Sequence, residues 1–82
     1  GRGMSGRPKK HSLTLRGHRT SVSLEDEFWI AFRKIAEEKS IPINVLAARI
    51  DEERGVTAGL ATAIRLFVLA HYQEKLDDLS AE

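Results

Sequence analysis

The 82-residue chain contains no cysteine, which excludes disulfide cross-links and thiolate metal sites. A domain this small buries only a modest share of its surface, so oligomerisation remains as the route to added stability. No uninterrupted apolar run is long enough to span a bilayer; the most apolar window, Ile64 to Ala70, is broken by Arg65. Nor does an apolar segment follow the basic N-terminus, as a secretory signal would require, and a cytoplasmic protein is expected. There is no internal repeat, no Ser/His/Asp order, no glycine-rich phosphate loop and no metal-ligand spacing. His71 has neither a cysteine nor a second histidine near it in sequence, so a metal site is not expected. No cofactor is implied, and the chain does not read as an enzyme.

Acidic residues are also missing from the first nineteen positions. Arg2, Arg7, Lys9, Lys10, Arg16 and Arg19 stand there without one Asp or Glu, while the remaining seven Lys/Arg face all twelve acids. The net charge of +1 therefore hides a basic end, which suggests a polyanionic partner.

Residues 1–12 (GRGMSGRPKKHS) are rich in Gly, Ser and charge without apolar periodicity, and are expected to form a flexible basic arm. Gly1-Arg2-Gly3 ahead of Met4 reads as a cloning remnant. The domain proper is expected over 13–82. Leu13-Thr14-Leu15-Arg16 is a short alternating segment, and Arg19-Thr20-Ser21-Val22-Ser23-Leu24 a longer one. Strand side chains alternate between faces, so Thr20, Val22 and Leu24 share one face and Arg19, Ser21 and Ser23 the other. The apolar residues of the first segment are odd-numbered and those of the second even-numbered. A turn or bulge at Gly17 would reset that phase, leaving Leu13 and Leu15 to cover a sheet edge. Read as the only long strand, residues 19–24 lack a partner within the chain, and an unpaired edge cannot be left buried. A second copy would supply one.

Phe28, Phe32, Ile35 and Ala36 recur at helical spacing and predict a helix over Glu25 to Lys39, with Trp29 beside that stripe as a core or interface aromatic. The acidic Glu25, Asp26 and Glu27 favour its N-terminus, and Ser23 with Asp26 suggests a capping box. After Ser40-Ile41-Pro42, the stripe Ile43, Leu46, Ala47, Ile50 predicts a second helix ending near Arg54 and Gly55. A third, opened by Thr57 or Gly59, runs from Leu60 to about Leu76. Its centre is apolar almost all round, which predicts burial on more than one side. Asp51-Glu52-Glu53 reads as a solvated helix end.

Strand RTSVSL, helix EDEFWIAFRKIAEEKS, a short turn and then IPINVLAARI, in this order and phase, resemble the ribbon-helix-helix repressors of the Arc, MetJ and CopG type, in a bacterial subgroup with an extra C-terminal helix. The resemblance implies a mainly α fold with one short N-terminal strand, paired antiparallel across an intertwined homodimer. It implies that Arg19, Ser21 and Ser23 touch base edges in the major groove of double-stranded DNA. Arg suits guanine O6 and N7, and Ser suits several bases. It further implies a phosphate held by the backbone amides of Ile43 and Asn44, where Pro42 replaces the frequent Ser or Thr cap. Arg7, Lys9, Lys10 and Arg16 have the type and position of phosphate contacts; His11 and His18 are given little weight. Thr20, Val22, Leu24, Phe28 and Phe32 would form the dimer core.

The function so implied is that of a sequence-specific bacterial transcriptional regulator, a repressor acting as a homodimer or higher oligomer. Two alternatives stand beside it: the DNA-binding antitoxin of a toxin–antitoxin pair, and a helical interaction module that meets a protein partner through the third helix.

Overall fold

The computed structural model describes residues 6–81. Residues 1–5, which include the suspected cloning remnant, lie outside them. Two strands, β1 (Lys9–Leu15) and β2 (His18–Leu24), are followed by three helices, α1 (Asp26–Glu38), α2 (Ile43–Glu53) and α3 (Leu60–Ser80).

The strands pair with each other as an antiparallel hairpin, with Leu15 opposite His18, Leu13 opposite Thr20, His11 opposite Val22 and Lys9 opposite Leu24. This corrects three expectations. Residues 19–24 do have a partner in their own chain. Positions 9–12 belong to a strand and not to a flexible arm. Leu13 and Leu15 lie on the floor of the sheet beside Val22 and Leu24, not over its edge, and all four are buried. The loop consists of Arg16 and Gly17 alone, both at positive φ (54° and 83°), the left-handed pair that a type I′ turn needs to match the twist of the strands. A two-residue loop in this register pairs odd positions with even ones, which is why the apolar phase changes between the strands.

The three helices close over that floor. Phe32, Ile35 and Ala36 of α1, Leu46, Ala47 and Ile50 of α2, and Ile64 and Val68 of α3 join the four strand residues in one core. Phe32 is fully buried and meets Phe67 edge to face at a centroid separation of 6.2 Å, a preferred aromatic geometry. Val22, Leu24 and Phe32, expected at a dimer interface, are thus covered within one chain. Phe28 is half-buried at its margin, and Thr20 is exposed.

The expected capping box does not form. Glu25 occupies the N-cap of α1 without a side-chain cap bond, which leaves Ser23 to the strand. At the other end Ser40 takes positive φ (56°); its N–H donates to the Glu37 carbonyl and that of Ile41 to the Ala36 carbonyl, each at 3.0 Å. This is a Schellman closure with serine where glycine is usual. The third helix also departs from expectation, since Leu66 and Leu69 are 58% and 51% exposed. Only one side of its apolar centre packs, and the helix remains exposed from Tyr72 to its end.

Candidate nucleic-acid interface

The register fixes what each face of the hairpin carries. Away from the core point Lys10 and Ser23, Ser12 and Ser21, Thr14 and Arg19, as three cross-strand pairs. All six side chains are exposed. The surface they form holds two cations, four hydroxyls, no acid and no large apolar group. Among the described residues neither Lys10 nor Arg19 is engaged in an ion pair.

Backbone groups on the two outer edges follow from the same register. With a two-residue loop the flanking pair Leu15–His18 is hydrogen-bonded, and bonded and non-bonded pairs alternate from there. Lys10, Ser12 and Thr14 therefore turn their N–H and C=O groups away from β2, and Arg19, Ser21 and Ser23 turn theirs away from β1. Two contacts agree with this alternation. The Thr14 N–H donates to Asn44 Oδ1 at 3.1 Å, and the Ser23 carbonyl accepts a long contact of 3.5 Å from Arg65 Nη2. The outer edge of β1 is thus tied to the start of α2, whereas most of the β2 edge is open.

Across the sheet the order is the open edge, β2, β1 and then the N-terminus of α2. The first bond within that helix runs from the Leu46 N–H to the Pro42 carbonyl, and Pro42 supplies no side-chain cap. The amides of Ile43, Asn44 and Val45 consequently precede the helical ladder, as helix-start donors do. The Asn44 side chain is already committed to β1.

The remaining basic residues separate by strand phase. Lys9 lies on the core side of β1, with Nζ 3.3 Å from the Asp26 carboxylate. Arg16, in the loop, pairs with Glu52, and Arg7 is exposed just ahead of β1. The structure therefore brings Lys10 onto the face of Arg19, Ser21 and Ser23 but does not bring Lys9 or Arg16 there. Arg54 is taken up by Asp51 at 2.7 Å and by the Ala58 carbonyl at 2.8 Å. Trp29 is no exposed stacking platform. It is partly buried, packs on the core, and lies nearly parallel to His11 at a centroid separation of 4.1 Å.

One positioning residue carried no sequence signal beyond its interruption of an apolar stretch. Arg65 of α3 donates from Nε and Nη2 to the two carboxylate oxygens of Glu25, at 2.9 and 3.1 Å, and lies 5.9 Å from the centre of the Phe28 ring. This two-pronged geometry fixes the β2–α1 junction to α3. The guanidinium hydrogen bonds hold the Glu25 carboxyl below its ordinary pKa. Lys75, chiefly, does the same for Glu38, with its Nζ at 2.9 Å and His71 Nε2 at 3.3 Å from the other oxygen.

A family model described as a ribbon-helix-helix domain matches residues 8–72, from just ahead of β1 to beyond the middle of α3. No curated protein and no solved structure matches the chain.

Proposed function

Because this chain belongs to the ribbon-helix-helix family, whose members are DNA-binding regulators, we propose that it is a sequence-specific DNA-binding transcriptional regulator of a bacterial cytoplasm and not an enzyme. The observation that carries this reading is the outward face of the hairpin, a basic and hydroxyl-bearing surface without an acid. Arg19, Ser21 and Ser23 read base edges in the major groove from that face, because one long bidentate donor and two short hydroxyls suit a close approach to the groove floor. The Ile43 and Asn44 amides and the exposed Arg7 hold phosphates, the first through the free donors of a helix start. Occupancy of the operator excludes polymerase.

The active species is a homodimer joined along the open edge of β2. Pairing two such edges about a two-fold axis, with Ser21 opposite the partner's Ser21, satisfies the outward N–H and C=O groups of Arg19 and Ser21. It also places a second set of helices over the uncovered part of the inward face. There Thr20 and His18 stand beside a groove lined by Leu15, Ala48, Asp51 and Leu60. Four strands result, in the order β1, β2, β2, β1, with the two β2 strands as the central ribbon.

Selection of bound duplexes from a random pool tests the function. A short motif repeated with two-fold symmetry, retained at moderate salt, is expected. Binding that moderate salt abolishes on every sequence alike would leave only an interaction module with an incidental charge. The dimer has its own test, since the chain has no cysteine: Ser21→Cys should cross-link two chains under mild oxidation, whereas Ser12→Cys should not.

Among the described residues no helix is long and apolar enough to cross a membrane. The antitoxin reading draws on the outer face of α3. Its leucines 66, 69, 76 and 79 are exposed and offer an apolar stripe to a toxin; co-purification of a second chain with the protein would favour it.

A further inference from the structure

From the place of β1 in the sheet we infer a second row of DNA contacts. Ser12 and Thr14, with Lys10, hold the phosphates along the walls of the groove whose floor β2 reads. The inference rests on the DNA-binding dimer proposed above.

Neighbouring strands lie about 4.8 Å apart. In the four-stranded arrangement the two β2 strands therefore run about 2.4 Å to either side of the two-fold axis, and the β1 strands about 7 Å from it. The major groove is about 12 Å wide, so its walls stand about 6 Å from its centre. Two strands fit between those walls and four do not. β1 consequently rides over the sugar–phosphate backbone, between the base-reading strand and the α2 N-terminus, to which the Thr14 N–H is tied through Asn44 at 3.1 Å. Its three outward side chains share the face of Arg19, Ser21 and Ser23, are exposed, and each carries a hydrogen-bond donor. Lys10 supplies a charge that Lys9, on the opposite face and paired with Asp26, cannot supply. Hydroxyls and a lysine suit phosphate oxygens without encoding sequence.

The test compares binding of the full chain to its selected duplex and to a random one across a range of salt. Ser12→Ala combined with Thr14→Val removes four hydroxyls from a dimer and should weaken both duplexes by the same factor, at least about thirtyfold, with the salt slope unchanged, because neutral donors displace no counterions. Lys10→Gln should flatten the slope of log affinity against log salt by about 1.8 for a dimer, 0.9 per phosphate released. Thr14 is exposed and its N–H is kept, so the fold is preserved; Lys10→Gln provides an independent reading. A loss confined to the selected duplex would overturn the inference and make β1 a base reader. Unchanged affinity in both variants would overturn it too, by taking β1 off the DNA. Arg19→Ala run alongside separates the two readings. If it relaxes sequence preference while the β1 variants do nothing, the DNA-binding function stands and only the second row falls.

Discussion

Leu13 and Thr20 face each other across the hairpin on the same, inward side of the sheet, yet only Leu13 is buried, at 2% exposure, while Thr20 is open. Aspartate substituted at each position should therefore have opposite consequences. Leu13→Asp forfeits about 1.5–3 kcal/mol of side-chain burial and places an unpaired carboxylate in the core, at a further cost of several kcal/mol. Together these reach about 5–8 kcal/mol, the greater part of a total stability of about 4–12 kcal/mol for a domain of this length, so Leu13→Asp should melt far below the parent or lose its cooperative transition. Thr20→Asp costs a single chain no more than about 0.5 kcal/mol, as for other surface changes. It does set a charge where the second copy would cover β2, so it should yield a folded monomer. Thermal melting followed by circular dichroism measures the first effect, and sedimentation of dilute protein the second. A cooperative, near-native melt of Leu13→Asp would show that the hairpin floor is not core. A Thr20→Asp variant that remains dimeric would remove β2 from the dimer interface.

Ser40→Gly should raise stability by about 0.5–1 kcal/mol, and the melting temperature by a few degrees, because serine at positive φ carries a Cβ penalty that glycine lacks; a lower melting temperature would contradict the closure seen at the end of α1. Glu25 and Glu38 have folded pKa values below their ordinary ones. Their contribution is thus fully present above the ordinary carboxylate range and is lost as pH falls through the lowered folded values. Glu25→Gln should accordingly be less sensitive than the parent to acid in that window, as read from melting temperature against pH. Arg19→Ala should cost about 1–3 kcal/mol at the base it reads and relax preference there, whereas a uniform loss on all sequences would mark Arg19 as a phosphate ligand. Deleting residues 1–8 removes Arg7 and spares β1, so it should flatten the salt slope by about 0.9 for each phosphate no longer neutralised and leave base preference intact.

The alternation of residues 19–24 and the stripes of the first two helices could be read directly because they are local: a period of two or of 3.6 is written into neighbouring positions. The same locality exposed the basic, hydroxyl-bearing character of one face of β2. The hairpin was less legible. Lys9 to Ser12 is too polar to announce a strand, and Arg16-Gly17 lacks the Asn-Gly signature of its turn. The odd-to-even change of apolar phase was nevertheless the mark of a two-residue loop. That Lys10 joins Arg19 while Lys9 meets Asp26 is set by the pairing register, which depends on both strands at once.

The sequence by itself determined the strand over residues 19–24 and the three helices, the burial of Val22, Leu24, Phe32 and Ile35, and the charge asymmetry between the first nineteen residues and the rest. Only the tertiary structure decided which partner β2 takes within the chain and which side of α3 packs, because apolar character says that a surface can be buried but not against what. Pairing and packing couple residues far apart in the chain. Arg65 meets Glu25 and Thr14 meets Asn44 only once the strands and helices have closed on one another.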